Sequence, residues 1–160
     1  MNCASDPAAP LFPDTEQLLR AFCGEPVPTA WREMAEAAAA MVGVQQKRRA
    51  AMRRFVVPEE CSHGDLLAAV RTFIGAEIEL ATLATTIDHA VARMLQDRET
   101  RTEVRHTETV GSVVSRLAEL WLNDLHSDRD EDSRRLKRIG HAYDCLIADL
   151  TACKRLPPDM

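Results

Sequence analysis

The sequence predicts an all-α fold, an antiparallel bundle of four long helices with a short helix at the N-terminal end. Three observations predict it. Apolar residues recur at intervals of three and four along four long segments. Only six glycines occur in 160 residues, and alanine and leucine dominate, which favours helix over sheet. Connections between the long segments run to about ten residues or fewer, which suits antiparallel neighbours.

Residues 1–13 carry Pro7, Pro10 and Pro13 without periodicity and read as a flexible arm. One helical domain is expected over 14–156, followed by a tail at 157–160. Asp14 or Thr15 is placed to cap the short helix EQLLRAFC, which Gly24 ends. The next segment, EPVP, is a stiff connector, because proline fixes φ and restrains its neighbour. Thr29 is expected to cap the first long helix, which runs to about Phe55. Its stripe is Trp31, Met34, Ala38, Met41, Met52 and Phe55, interrupted by Gln45 and Arg48. The run QQKRRAAMRR reads as a solvated face whose arginine stems lie over apolar surface. An anion or nucleic-acid patch is the other reading, but no aromatic residues interleave to stack bases.

Pro58 breaks the helix, and Ser62 with Asp65 has the spacing of a capping box. The second long helix, from about Asp65 to Gln96, presents Leu66, Val70, Phe73, Leu80, Ala84, Ile87, Val91 and Leu95. At roughly 100° per residue, Glu77 and Asp88 fall in or beside that stripe. Carboxylates there are costly unless paired or reached by water. The third long helix buries Val110, Val114, Leu117, Ala118, Trp121 and Leu125, with Ser112, Arg116, Glu119, Asn123 and His126 on its polar face. The acidic turn SDRDEDS suits the start of the fourth by dipole sign. That helix, about Asp130 to Arg155, packs through Leu136, Ile139, Tyr143, Leu146, Ile147, Leu150 and Cys153. The motifs TIDHAV and AYDCLI give the two halves a loose likeness, so duplication is a candidate origin.

The formal net charge of −5 offers no general attraction to nucleic acid or an anionic membrane. No apolar run approaches the ~20 residues that span a bilayer. The N-terminus lacks the basic and apolar parts of a secretory signal. Five cysteines, an odd number without a CxxC, indicate neither a disulfide framework nor a zinc knuckle. The reading is a reduced, cytoplasmic protein whose cysteines act mainly as small apolar fillers.

Chemistry is best placed at His106, Thr107, Glu108 and Thr109, followed by Gly111 and Ser112. If Thr109 caps the helix, the free N–H groups of Val110, Gly111 and Ser112 point outward, as in anion sites. Gly111 would let a ligand approach the backbone. Glu108 argues against an anion, because it occupies the same positive end. The plain alternative is that the threonines and Glu108 only cap the helix. His106 is a candidate acid or base, or an idle loop histidine. Glu77 and Asp88 are candidate bases, or ion-pair partners of Arg48 or Arg116. Tyr143 reads as a core tyrosine with a satisfied hydroxyl, or as a ligand-side acid. His141 and Asp144 share one flank, but no second such pair completes a metal site. Nucleotide, zinc-protease and serine-hydrolase motifs are absent, and no cofactor is implied.

The stretches RHTETVGSVVSRLAEL and AYDCLIADL, followed by KRLPP, resemble the family called domain of unknown function 4254, in its actinobacterial form. EQLLRAFCGEPV and TIDHAV extend the likeness over most of the chain. The resemblance implies an all-helical fold and a polar signature at His106, Thr107, Glu108, Thr109, Gly111, Ser112 and Arg116, with Asp88 and Asp144 in the acidic motifs. It supplies no activity. Two positions depart from its pattern. Ser115 stands where the family has an acid, and Gln45 where it tends to have a histidine.

Two functions are therefore expected in competition. One is a small-molecule-binding bundle, an acid–base enzyme or accessory protein of specialised metabolism, with Glu108, Asp88 or His106 moving protons and Arg116 holding an anionic group. Thr107, Thr109, Gly111, Ser112, Glu77, Tyr143 and Asp144 would line its pocket. The other is a non-catalytic interaction protein, a homodimer joined through helix faces.

Overall fold

The computed structural model describes residues 10–56, 61–96, 98, 105–127, 129–154 and 156–158. The fold is all-α, with five helices packed against each other. They are α1 (Thr15–Phe22), α2 (Arg32–Val56), α3 (His63–Leu95), α4 (Val110–Leu125) and α5 (Asp130–Thr151), with a short 3-10 turn at Thr29–Trp31 before α2. Among the described residues, the extended backbone amounts to one isolated parallel bridge, Arg105 with Leu156. No helix of the described residues is long and apolar enough to cross a membrane.

Local chemistry sets the boundaries. Asp14 caps α1 in a reciprocal box with Gln17, which satisfies two otherwise orphan N–H groups. Gly24, at φ +79°, turns the chain out of α1, and the Glu25 N–H closes back on the Arg20 carbonyl at 3.1 Å. Ser62 and Asp65 form the expected capping box on α3. Thr29 does not cap α2 as expected. It begins the 3-10 turn, which follows Pro28. The turn places the Trp31 indole N–H on the Pro10 carbonyl at 3.1 Å, so residues 10–13 of the expected arm are tied to the domain, and residues 1–9 lie outside the described residues. Helix α5 stops at Thr151, four residues before the expected Arg155. Cys153 adopts a left-handed φ of 52° there, and the Lys154 N–H bonds the Asp149 carbonyl.

Ion pairs fix the helix directions. Glu33 pairs with Arg93, Lys47 with Glu79 and Arg54 with Asp65, so α2 and α3 run antiparallel. Gln45 meets Ser115 and Arg48 meets Glu119, so α2 and α4 run parallel. Asp124 accepts from Ser133 across the short turn into α5. The core between these helices holds Leu18, Met34, Met41, Ile87, Val114, Leu117, Tyr143 and Leu150, all fully buried.

Three parts of the expected stripes lie outside the core. Met52 and Phe55 on α2 are 44% and 39% exposed. Leu125, the last residue of α4, is 59% exposed. Val70 on α3 is also exposed. Met52, Phe55 and Leu125 lie near the C-terminal ends of their helices, whereas Val70 lies on a different face of α3 from the buried Ala69 and Ala76. The four described cysteines are not core fillers either, and Cys3 lies outside the described residues. Cys23 and Cys145 are exposed, and Cys61 and Cys153 are half-buried. Three of the four sit at or beside helix ends, where packing is incomplete.

Candidate functional site

The head of α4 is built from three elements. Thr109 adopts an extended cap conformation, and its Oγ1 accepts the Ser112 N–H at 3.1 Å. The Asp88 carboxylate, reaching across from α3, accepts the Gly111 N–H at 2.8 Å. The positive end of α4 is thus occupied by a carboxylate from within the protein. Gly111 is glycine for helix packing rather than for ligand approach. A Cβ there would lie 2.2 Å from the Ala84 carbonyl oxygen.

The rest of the predicted site is distributed around this contact. Glu108 pairs with Arg116 at 2.6 Å, with both side chains about half exposed. Arg116 therefore already holds a carboxylate. Thr107 is exposed. His106 is half-buried, with its Nε2 shielded from solvent. Its backbone N–H bonds the Leu156 carbonyl at 2.9 Å, and the Arg105 guanidinium bonds the Pro158 carbonyl at 2.8 Å. Of the tail expected at 157–160, residues 159 and 160 lie outside the described residues, but Leu156 and Pro158 bond to the segment before α4. Together they leave a cleft of about 170 Å³ lined by Thr85, Asp88, His89, Ala92, Thr109, Pro157 and Pro158.

Glu77 belongs to a different cluster. It is exposed and pairs with Arg48. Arg48 also bonds Glu119 at 3.2 Å and the Gln45 side-chain oxygen at 3.3 Å. Its guanidinium lies 5.6 Å from the Phe73 ring centre, within cation–π range. Burial opposes its charge, but the bonds and charges of Glu77 and Glu119 outweigh that, so its pKa is raised. Gln45 is buried and gives its amide to both the carbonyl and the hydroxyl of Ser115, each at 3.3 Å. The two positions that depart from the family pattern thus touch each other.

Tyr143 and Asp144 lie at the α1–α5 junction. Tyr143 is fully buried and donates to the Pro13 carbonyl at 2.9 Å. Burial first, then the nearby charges of Asp144 and Asp14, push its hydroxyl well above the usual tyrosine range. Asp144 accepts the Thr15 N–H at 2.8 Å and faces the Thr15 hydroxyl at 2.9 Å. Asp144 thus does for α1 what Asp88 does for α4.

The structure brings Asp88, Thr109, Gly111 and Ser112 together, and likewise Glu108 with Arg116. Glu77 and Tyr143 belong to other clusters. Sequence reasoning gave the Arg48–Glu77 ion pair as one alternative, but missed the Glu119 arm of the Arg48 clamp and the Gln45–Ser115 contact. The signal for both was present, since Gln45 and Arg48 interrupt an otherwise apolar stripe. Among the described residues, no group of three or more His, Cys, Asp or Glu side chains is placed to hold a metal ion. These features define an all-α helical bundle with polar junctions between its helices. No family model, curated protein or solved structure matches the chain.

Proposed function

We propose that the protein is a non-catalytic helical interaction module that pairs with a second copy of itself through α3. The observation that carries this is an exposed apolar ridge. Leu67, Val70, Ile74 and Ile78 are 46%, 41%, 53% and 63% exposed. They continue into exposed Ala81. The intervals from Leu67 to Ala81 are three, four, four and three residues, a palindrome about Ile74. All five share one face of the helix. An antiparallel second copy would set Ile74 on Ile74, Val70 against Ile78 and Leu67 against Ala81. Such self-complementarity is what a two-fold interface requires. Trp121, the alternative anchor, is half-buried and packs on Phe22 with ring centres 5.7 Å apart.

The candidate catalytic groups support the same reading. Asp88 holds a helix start, and Glu108 and Glu77 hold arginines. The resemblance to the domain of unknown function 4254 family, kept here as a proposal, implies a histidine and an acid at positions 45 and 115. This chain has an amide and a hydroxyl in contact there, neither suited to acid–base chemistry at neutral pH.

Sedimentation equilibrium tests the proposal. The wild type should show a concentration-dependent dimer, and Ile74→Glu should be monomeric with an unchanged helical spectrum. Leu125→Glu, on α4, should still dimerise. A wild type that stays monomeric at millimolar concentration overturns the reading.

A second reading, binding of a small molecule, is favoured by the cleft of about 170 Å³ beside Asp88, His89 and Thr109. Its test is native mass spectrometry for a co-purified ligand. Loss of that ligand in His89→Ala, with the fold intact, is the expected result.

A further inference from the structure

Helix α2 carries a second groove, away from the α3 ridge, that neither reading uses. Arg49, Met52, Arg53 and Val56 form its α2 wall, and Leu122 and Asn123 of α4 close it, around about 230 Å³. Arg48 and Glu119 of the polar clamp line its inner end. An open basin adjoins it, sharing Arg49 and Asn123 and adding His126, Arg129 and Asp132.

Two observations point to the ligand. The chain carries a net charge of −5, yet among the described residues groove and basin present Arg48, Arg49, Arg53 and Arg129 against Glu119 and Asp132. Arg48 is committed to Glu77 and Glu119. Arg49 gives one N–H to the Leu122 carbonyl at 3.2 Å, which fixes its stem and leaves its other donors. Arg53 makes no ion pair among the described residues. The second observation is apolar. Met52 and Val56, 44% and 78% exposed, lie in the groove beside these cations. A solvated basic face does not need large apolar side chains left open between its charges.

We infer that this groove binds a small amphipathic organic anion. Its carboxylate is held by Arg49 and Arg53, and its apolar body lies on Met52 and Val56. A guanidinium matches a carboxylate with two parallel N–H bonds. Pockets for drug-sized ligands run to about 300–1,000 Å³, so a smaller molecule fits here. A nucleic acid is disfavoured, because no aromatic side chain lines the groove for stacking.

The experiment is an NMR titration of the full chain with octanoate, run in parallel with octanol and with inorganic phosphate. Octanoate should give saturable shifts at Met52, Arg53, Val56 and Asn123. Octanol and phosphate should each bind at least about tenfold more weakly, since each lacks one half of the recognition. Arg53→Gln and Val56→Ser, both at exposed positions, should each weaken octanoate severalfold while the helical spectrum stays unchanged. The inference is overturned if octanol or phosphate binds as well as octanoate. It is equally overturned if both variants bind like the wild type, or if the shifts fall on Leu67 to Ile78. Repeating the titration on Ile74→Glu separates this groove from self-association, because binding here should survive loss of the dimer.

Discussion

The Asp88 carboxylate accepts the Gly111 backbone N–H at 2.8 Å, and so takes the place at the head of α4 that an outside anion would otherwise find. The bond joins two consecutive helices, α3 and α4, across 23 residues of chain. It also explains why an acid is tolerated beside the core stripe of α3. The charge meets a helix dipole and a donor that would otherwise lack an intrahelical partner.

Replacing Asp88 with Ala should therefore destabilise the fold, by about 1–3 kcal/mol, the usual cost of stranding a donor. Asp88→Asn keeps an acceptor oxygen and should cost less. Thermal or urea unfolding checks the order. If Asp88→Ala melts like the wild type, the bond is not structural.

Gly111→Ala should be more damaging than Gly140→Ala. The added Cβ at 111 would meet the Ala84 backbone at 2.2 Å, whereas at 140 it meets the Thr15 side chain, its methyl at 2.8 Å and its hydroxyl oxygen at 3.3 Å. Overpacking typically costs about 1–3 kcal/mol and more where backbone must move. Chemical denaturation of both variants, with equal losses, would count against this account of the glycines.

The Arg48 clamp should show coupling. Arg48→Met combined with Glu119→Gln should lose less than the sum of the single variants, by about 0.5–1 kcal/mol for so exposed a carboxylate. A double-mutant cycle in low and high salt measures it. Full additivity would mean the pair contributes nothing.

Stability should fall at alkaline pH through Tyr143. Its folded-state pKa is raised, by burial first and then by the charges of Asp144 and Asp14. A raised pKa means the native state prefers the neutral hydroxyl. That contribution is complete below the unfolded value of about 10 and is lost as pH rises beyond it. Tyr143→Phe should weaken the protein at pH 7 by losing the bond to Pro13, yet flatten the decline above pH 10. Melting temperature against pH tests both parts.

The fold was largely legible because helix signals are local. Asp14 with Gln17 and Ser62 with Asp65 are read from spacing alone, and Leu80, Ile87 and Val91 from period. Expectation failed where a residue's fate depends on how far a neighbouring helix extends. Met52, Phe55 and Leu125 continue correct periodic stripes but stay partly exposed, Phe55 even against the Phe73 ring of α3. The polar segment before α4 was legible, but the contacts it makes were not. His106 to Ser112 does form a polar junction, yet nothing local shows that Asp88 fills it or that Leu156 returns to it. Those are contacts between distant parts of the chain, set by loop geometry.

Asp88 in α3 grips the start of α4, and Asp144 in α5 grips the start of α1. Divide the chain between Gln96 and Arg105, and each fragment carries one acid and one helix start, each suited only to the other fragment. The two pieces should therefore reassemble when mixed, although neither keeps its helices in isolation. A backbone nick there should leave the bundle whole, held by a reciprocal handshake in place of the severed peptide.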